Sequence, residues 1–84
     1  MLSISPSVVF KRVGDEAVLL DFERGVYYGL DGAGARVWEL IADGRSLDAV
    51  AQAMTEEYEV ALDEVRRDVE ALVGELERNG LVTR

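Results

Sequence analysis

The chain has no cysteine and no histidine, a single proline and no long apolar run. Without cysteine there are no disulfides, no thiolate zinc sites and no cysteine nucleophile, a composition that fits a reducing cytoplasm. Without histidine the commonest general base and the commonest transition-metal ligand are missing. Nucleophilic triads of the usual type cannot be assembled. No stretch approaches the roughly 18 apolar residues that a membrane span needs. The N-terminus lacks the basic, apolar and small-residue succession of a secretory signal.

Basic residues are also scarce, nine against seventeen acidic ones, for a net charge of −8. Duplex nucleic acid is an unsuitable partner, because its binding rests on cations that neutralise phosphates. A cationic or neutral partner suits such a surface better. The 84 residues predict one domain, 1–84, with one modest core. Hydrophobic residues at 49% and charged ones at 31% are an ordinary globular mixture.

Met1 to Ser7 reads as a lead-in, and Pro6 withholds a ladder donor, so pairing should begin after it. Val8 to Val13 is rich in β-branched and aromatic residues and predicts a strand. Ala17 to Phe22 predicts a second, with Val18, Leu20 and Phe22 on one face and Leu19 and Asp21 on the other. Val26 to Leu30 predicts a third, with Val26, Tyr28 and Leu30 toward the core and Tyr27 and Gly29 away from it. Short turns join the three into an antiparallel meander.

Three helices should follow. The first begins near Asp31, a plausible N-cap, and runs to about Ala42, with Val37, Trp38 and Ile41 on its apolar stripe. Trp38 should anchor the core beneath the sheet, and its loss to alanine would cost about 3–5 kcal/mol. Ser46 caps a second helix, Leu47 to about Tyr58, with Leu47, Val50, Ala51 and Met54 on its stripe. Asp63 starts a third, which runs to about Asn79 and stops at Gly80. Its stripe of Val65, Val69, Leu72 and Leu76, widened by Val73 and flanked by Asp68, is broader than one buried contact requires. Leu81 and Val82 should then turn back onto the core.

In such a meander the first and third strands are edges, and an edge offers unpaired N–H and C=O groups to any extended chain. The third strand carries no proline, no lysine and no inward charge that would block pairing. It ends in Tyr27-Tyr28-Gly29-Leu30-Asp31 and runs directly into a helix. The plain alternative is an edge strand without a guest, its tyrosines serving the core. The broad stripe of the third helix likewise either covers the sheet or lines a groove beside this strand.

Other constellations carry little chemistry. Glu56-Glu57 and Asp63-Glu64 lack metal-ligand spacing and oxyanion donors, and read as solvated helix surface. Gly29, Gly32 and Gly34 lack the G-x-G-x-x-G spacing, and no Lys-Ser/Thr follows. Arg66-Arg67 could suggest a recognition helix, but Asp63, Glu64, Asp68 and Glu70 surround the pair.

Three strands followed by three helices, the passage Tyr28-Gly-Leu30-Asp-Gly-Ala-Gly-Ala-Arg-Val-Trp38-Glu-Leu-Ile, then Asp43-Gly44, then Leu76-Glu-Arg-Asn-Gly80-Leu81-Val82 resemble the PqqD family over nearly the whole chain. The resemblance lies in hydrophobic and turn positions, not in a catalytic motif. It implies an α+β, winged helix-turn-helix-like domain without catalytic activity, cofactor or metal. Such a domain binds the leader segment of a ribosomally made precursor peptide and presents it to modifying enzymes. In the family the leader adds as an antiparallel strand to the third strand and lays side chains against the third helix. Here that implies Val26, Tyr27, Tyr28, Gly29 and Leu30 for pairing, and Asp68, Val69, Leu72, Val73 and Leu76 for the groove. A stand-alone member is similar to two branches. One serves lasso-peptide pathways, with a leader-cleaving cysteine protease and a lasso cyclase as partners; the other serves a radical SAM enzyme in pyrroloquinoline quinone synthesis. The Tyr-Tyr-Gly-Leu-Asp strand end and the brevity of the chain favour the lasso branch. A cytoplasmic monomer when free, with neither nucleic acid nor membrane as partner, is the corresponding expectation. A DNA-binding winged helix and an edge-to-edge homodimer are the competing classes.

Overall fold

The computed structural model describes residues 2–84; Met1, the first residue of the expected lead-in, lies outside them. The element order is β1 (Ser3–Ile4), β2 (Val8–Val13), β3 (Glu16–Asp21), β4 (Val26–Leu30), α1 (Gly32–Ala42), α2 (Leu47–Tyr58), α3 (Leu62–Arg78) and β5 (Val82–Thr83). This is the expected α+β layout of a three-stranded antiparallel meander followed by three helices. The strand order is β2-β3-β4, so β4 is an edge. None of the helices among the described residues is long and apolar enough to cross a membrane.

The sheet packs one face on the helices. Ala17, Leu19 and Leu30 point inward and meet Val37, Trp38 and Ile41 of α1 and Val65, Val69, Val73 and Leu76 of α3 in one cluster. Trp38 is buried, as its place on the stripe required. Val18 and Leu20 lie on the outer face, half-buried, and Phe22 falls beyond the strand in the turn, exposed. The second strand is therefore shifted by one residue from the sequence reading, because Phe22 already bends away toward Gly25.

The ends of the chain differ more. Ser3 and Ile4 pair with Thr83 and Val82 in a separate two-stranded ladder. The lead-in is thus partly a strand, and Leu81 and Val82 pack on the core as its partner's support. The register follows from the end of α3. Gly80, at φ +72, takes the left-handed conformation, and the N–H groups of Gly80 and Leu81 donate to Glu77 O and Leu76 O. This pair of bonds satisfies the last carbonyls and reverses the chain. Asp31 and Ser46 cap α1 and α2 as expected, accepting from the N–H of Gly34 at 2.7 Å and of Ala49 at 3.2 Å. α3 starts one residue earlier than expected, at Leu62, and its N-cap Ala61 provides no side-chain bond.

Asp21 is the buried charge that shapes the approach to β4. Its Oδ1 accepts from Ser7 Oγ at 2.7 Å and from the N–H groups of Glu23 and Arg24 at 3.1 and 3.2 Å. The turn between β3 and β4 is folded around one carboxylate, an arrangement that aspartate favours. The Ser7 hydroxyl first, and then the two backbone donors, hold the carboxyl below its ordinary value of 3.8 despite burial. A group depressed in the folded state adds stability above its unfolded pKa and loses it as pH falls through the folded one. The protein should therefore lose stability as pH drops below about 4. In urea titrations, Asp21→Asn should lower the midpoint at pH 7 and flatten the decline between about pH 4 and 2. An unchanged acid slope would remove Asp21 as its source.

Candidate peptide-binding edge and groove

Antiparallel ladders alternate between residues that bond to one neighbour and residues that bond to the other. Phe22 N–H donates to Ser7 O, so Leu20 and Val18 bond to Val9 and Lys11 of β2 in the same phase. Asp21, Leu19 and Ala17 then bond to β4 through Val26, Tyr28 and Leu30. The remaining residues of β4, Tyr27 and Gly29, turn their N–H and C=O groups to the open edge. Tyr27 is 73% exposed, and no element among the described residues pairs with this side of β4. The inner face of the strand is Val26, Tyr28 and Leu30, the last buried, in agreement with the sequence pattern.

Beside this edge lies a groove of about 460 Å³. One wall is β4, with Tyr28, Gly29 and Leu30. The facing wall is α3, with Val65, Asp68, Val69 and Leu72. The floor and far end come from Asp31, Ala33, Gly34 and Val37 of α1 and from Met54, Tyr58 and Val60 around the end of α2. The lining is mainly apolar, with Asp31 and Asp68 as its charged residues. Asp31 is engaged in capping α1. Gly34 lets α1 approach β4 closely, since a Cβ there would lie 3.2 Å from Asp31 Oδ1 and 3.3 Å from Leu30 Cδ2.

Of the helix residues expected to line the groove, the structure brings Asp68, Val69 and Leu72 to it. Val73 and Leu76 do not line it: both are 0% exposed, in the core cluster behind the stripe. The broad stripe thus serves both roles, with its Leu72 side open and its Val73 side covered by the rest of the protein. The contribution of the α2 end went unseen in the sequence. Glu59 adopts φ +53 and turns the chain sharply, which brings Tyr58 and Val60 to the groove. The one local signal was Tyr58, a large aromatic at a helix end that remains 46% exposed.

Three side-chain contacts tie together the elements around the groove. Tyr28 Oη donates to Glu75 Oε2, joining β4 to α3. This acceptor, with partial burial, raises the phenol above its ordinary range. The Arg24 guanidinium reaches Asn79 O at 3.5 Å and occupies the space that a Cβ on Gly80 would need. This contact brings the turn before β4 against the end of α3. On the outside, Arg36 of α1 makes two bonds to Glu57 of α2, at 2.8 and 3.0 Å. Solvent reaches this last pair, so its contribution to stability is small.

Residues 16–82 match the family of coenzyme PQQ synthesis protein D (PqqD). The chain belongs to the PqqD family. Two solved structures are similar over nearly their whole length. One is TbiB1 in complex with the TbiA(beta) leader peptide, at 35% identity and a TM-score of 0.89, covering 95% of this chain and 93% of that one. The other is a lasso peptide synthetase B1 complexed with the leader peptide, at 34% identity and a TM-score of 0.88, covering 99% and 98%. No curated protein matches the chain. In this PqqD-family chain the open edge and the groove beside it form the candidate site.

Gly80 is the tie most open to test. A side chain there would strain a left-handed backbone by about 1–2 kcal/mol and displace Arg24. Gly80→Ala should therefore lose more stability in the wild-type background than in Arg24→Ala, as read by urea denaturation of the four proteins. Equal losses would remove the Arg24 contact from the account.

Proposed function

We propose that this protein binds the leader segment of a ribosomally made precursor peptide by adding it as a fourth strand to β4. Side chains of the leader enter the groove against α3. The protein then delivers the leader to a leader-cleaving cysteine protease and a lasso cyclase. The observation that carries the reading is the unpaired side of Tyr27 and Gly29 running along an apolar groove. The near full-length similarity to leader-bound lasso synthetase B1 supports the lasso branch over a radical SAM partner. A DNA-binding role is disfavoured by the net charge of −8.

Magnitudes show how edge and groove divide the work. Two residues with one N–H and one C=O each offer four backbone bonds, worth about 0.5–1.5 kcal/mol apiece. Ordering a disordered leader costs about 1–2 kcal/mol per residue, so over a strand as long as β4 the bonds alone do not suffice. Apolar side chains seated in the groove, at about 1.5–3 kcal/mol each, must supply the surplus. The edge then fixes register and direction while the groove fixes affinity, the division typical of strand addition. The reading is of a binding protein rather than an enzyme. No cysteine or histidine is present to serve as nucleophile or base, and no group of three or more acidic residues among those described could hold a metal ion.

Proline separates the two sides of β4. Tyr27→Pro removes a donor that faces the open edge, and should weaken a labelled leader about tenfold or more while leaving the fold intact. Tyr28→Pro removes a donor to β3, and should show its damage first as lost thermal stability. Leu72→Asp should weaken binding more than Glu77→Ala. Unchanged affinity in Tyr27→Pro would refute pairing at this edge, and equal affinities in the two helix variants would remove α3 from the site.

A further inference from the structure

The Tyr28 side chain spans from β4 to α3, because its hydroxyl donates to Glu75 Oε2. The other carboxylate oxygen, Glu75 Oε1, lies 3.9 Å from the Arg78 guanidinium. The groove stops at this span. Its walls run from Tyr28 to Leu30 on β4 and from Val65 to Leu72 on α3. Val26, two residues before Tyr28, and Glu75, just past Leu72, do not line it. Tyr28 also packs against the core cluster. A phenylalanine would fill that same core volume, so what the hydroxyl adds is the bond that holds the ring toward α3.

Strand geometry shows what a guest would meet there. Successive side chains of a strand point to opposite faces. An antiparallel guest would form hydrogen-bonded pairs with Tyr27 and Gly29, and those two of its side chains would point outward. Its residues opposite Leu30 and Tyr28 would point inward. The one opposite Leu30 faces the groove. The one opposite Tyr28 would have its Cβ about 4.5–5.5 Å from the Tyr28 Cβ, over a path to α3 that the phenol already takes. A large side chain at that position would have to push the ring off Glu75, leaving both polar groups without their partner. Otherwise it would lift the guest from the edge and lengthen its bonds to Tyr27 and Gly29.

We propose that the Tyr28–Glu75 bridge is a crossbar that limits the size of the guest residue opposite Tyr28. The inference rests on strand addition to β4. A peptide that fits has an apolar anchor opposite Leu30 and a small residue, glycine, alanine or serine, two positions C-terminal to it. The order follows from the antiparallel direction, in which the guest passes Leu30 before Tyr28. Tyr28 is then a specificity-determining residue that works by exclusion. Glu75 is the positioning residue that keeps the ring across the groove end.

The test selects a phage-displayed library of random peptides on the wild type and on Tyr28→Ala. Wild-type selection should yield an apolar anchor followed two positions later by a small residue. Selection on Tyr28→Ala should keep the anchor and accept large apolar residues at the second position. Replacing the small residue of a wild-type-selected peptide by leucine should weaken its binding to the wild type about tenfold. The same leucine peptide should bind Tyr28→Ala at least as tightly as its parent does. If Tyr28→Ala does not fold, Glu75→Ala, which frees the ring by changing an exposed side chain, replaces it with the same expected outcomes. Large residues accepted at that position by the wild type, or the same size limit on wild type and variant, would overturn the crossbar and leave strand addition standing. Selected peptides that bind Tyr27→Pro undiminished, or no selected peptides at all, would overturn strand addition and the crossbar with it.

Discussion

The structure depends on a strand that is hydrogen-bonded along one side only. Through Val26, Tyr28 and Leu30, β4 is fixed to β3, and through Tyr28 and Leu30 it is fixed to the core. The opposite groups of Tyr27 and Gly29 are left in solvent. An unpaired edge is a hazard for association, and proteins commonly protect such edges with charge. The two edges of this sheet differ in that respect. β2 carries Lys11 and Arg12, the latter bonded to Glu39 of α1 at 2.9 Å. β4 has no charged residue along its length. One edge is guarded and the other is left receptive.

A receptive edge alone would bind any extended chain weakly. Selectivity comes from what stands beside it, and the protein spends much of its limited core on that geometry. α3 buries Val73 and Leu76 to hold its position and keeps Leu72 and Asp68 free at the groove. Tyr28 with Glu75, and Arg24 with Asn79, join the middle of β4 and the turn before it to the last turns of α3. Asp21, taking donors from Ser7, Glu23 and Arg24, places the start of β4 relative to both.

Much of this was legible in the sequence, for reasons that can be named. Period-two patterning placed β4 and its inner face, and Asp31, Ser46 and Gly80 marked helix ends through local capping chemistry. Features that depend on distant segments were not legible. The β1–β5 ladder joins the two ends of the chain over two residues each, too short for any pattern. Val69, Leu72, Val73 and Leu76 share one apolar stripe, and periodicity cannot tell which margin the sheet and α1 will cover. Tyr58 and Val60 reach the groove only because Glu59 takes a left-handed conformation, which its residue type does not announce. Tyr28 and Glu75 meet across the groove walls through tertiary packing alone.

The most direct test is residue-resolved amide hydrogen exchange on β4, with and without a bound leader peptide. The account predicts slow exchange at Tyr28 in both states. At Tyr27 and Gly29 it predicts fast exchange in the free protein and strong protection in the complex. Tyr27 and Gly29 amides that stay fast in the complex, or that are already protected in the free monomer, would contradict it.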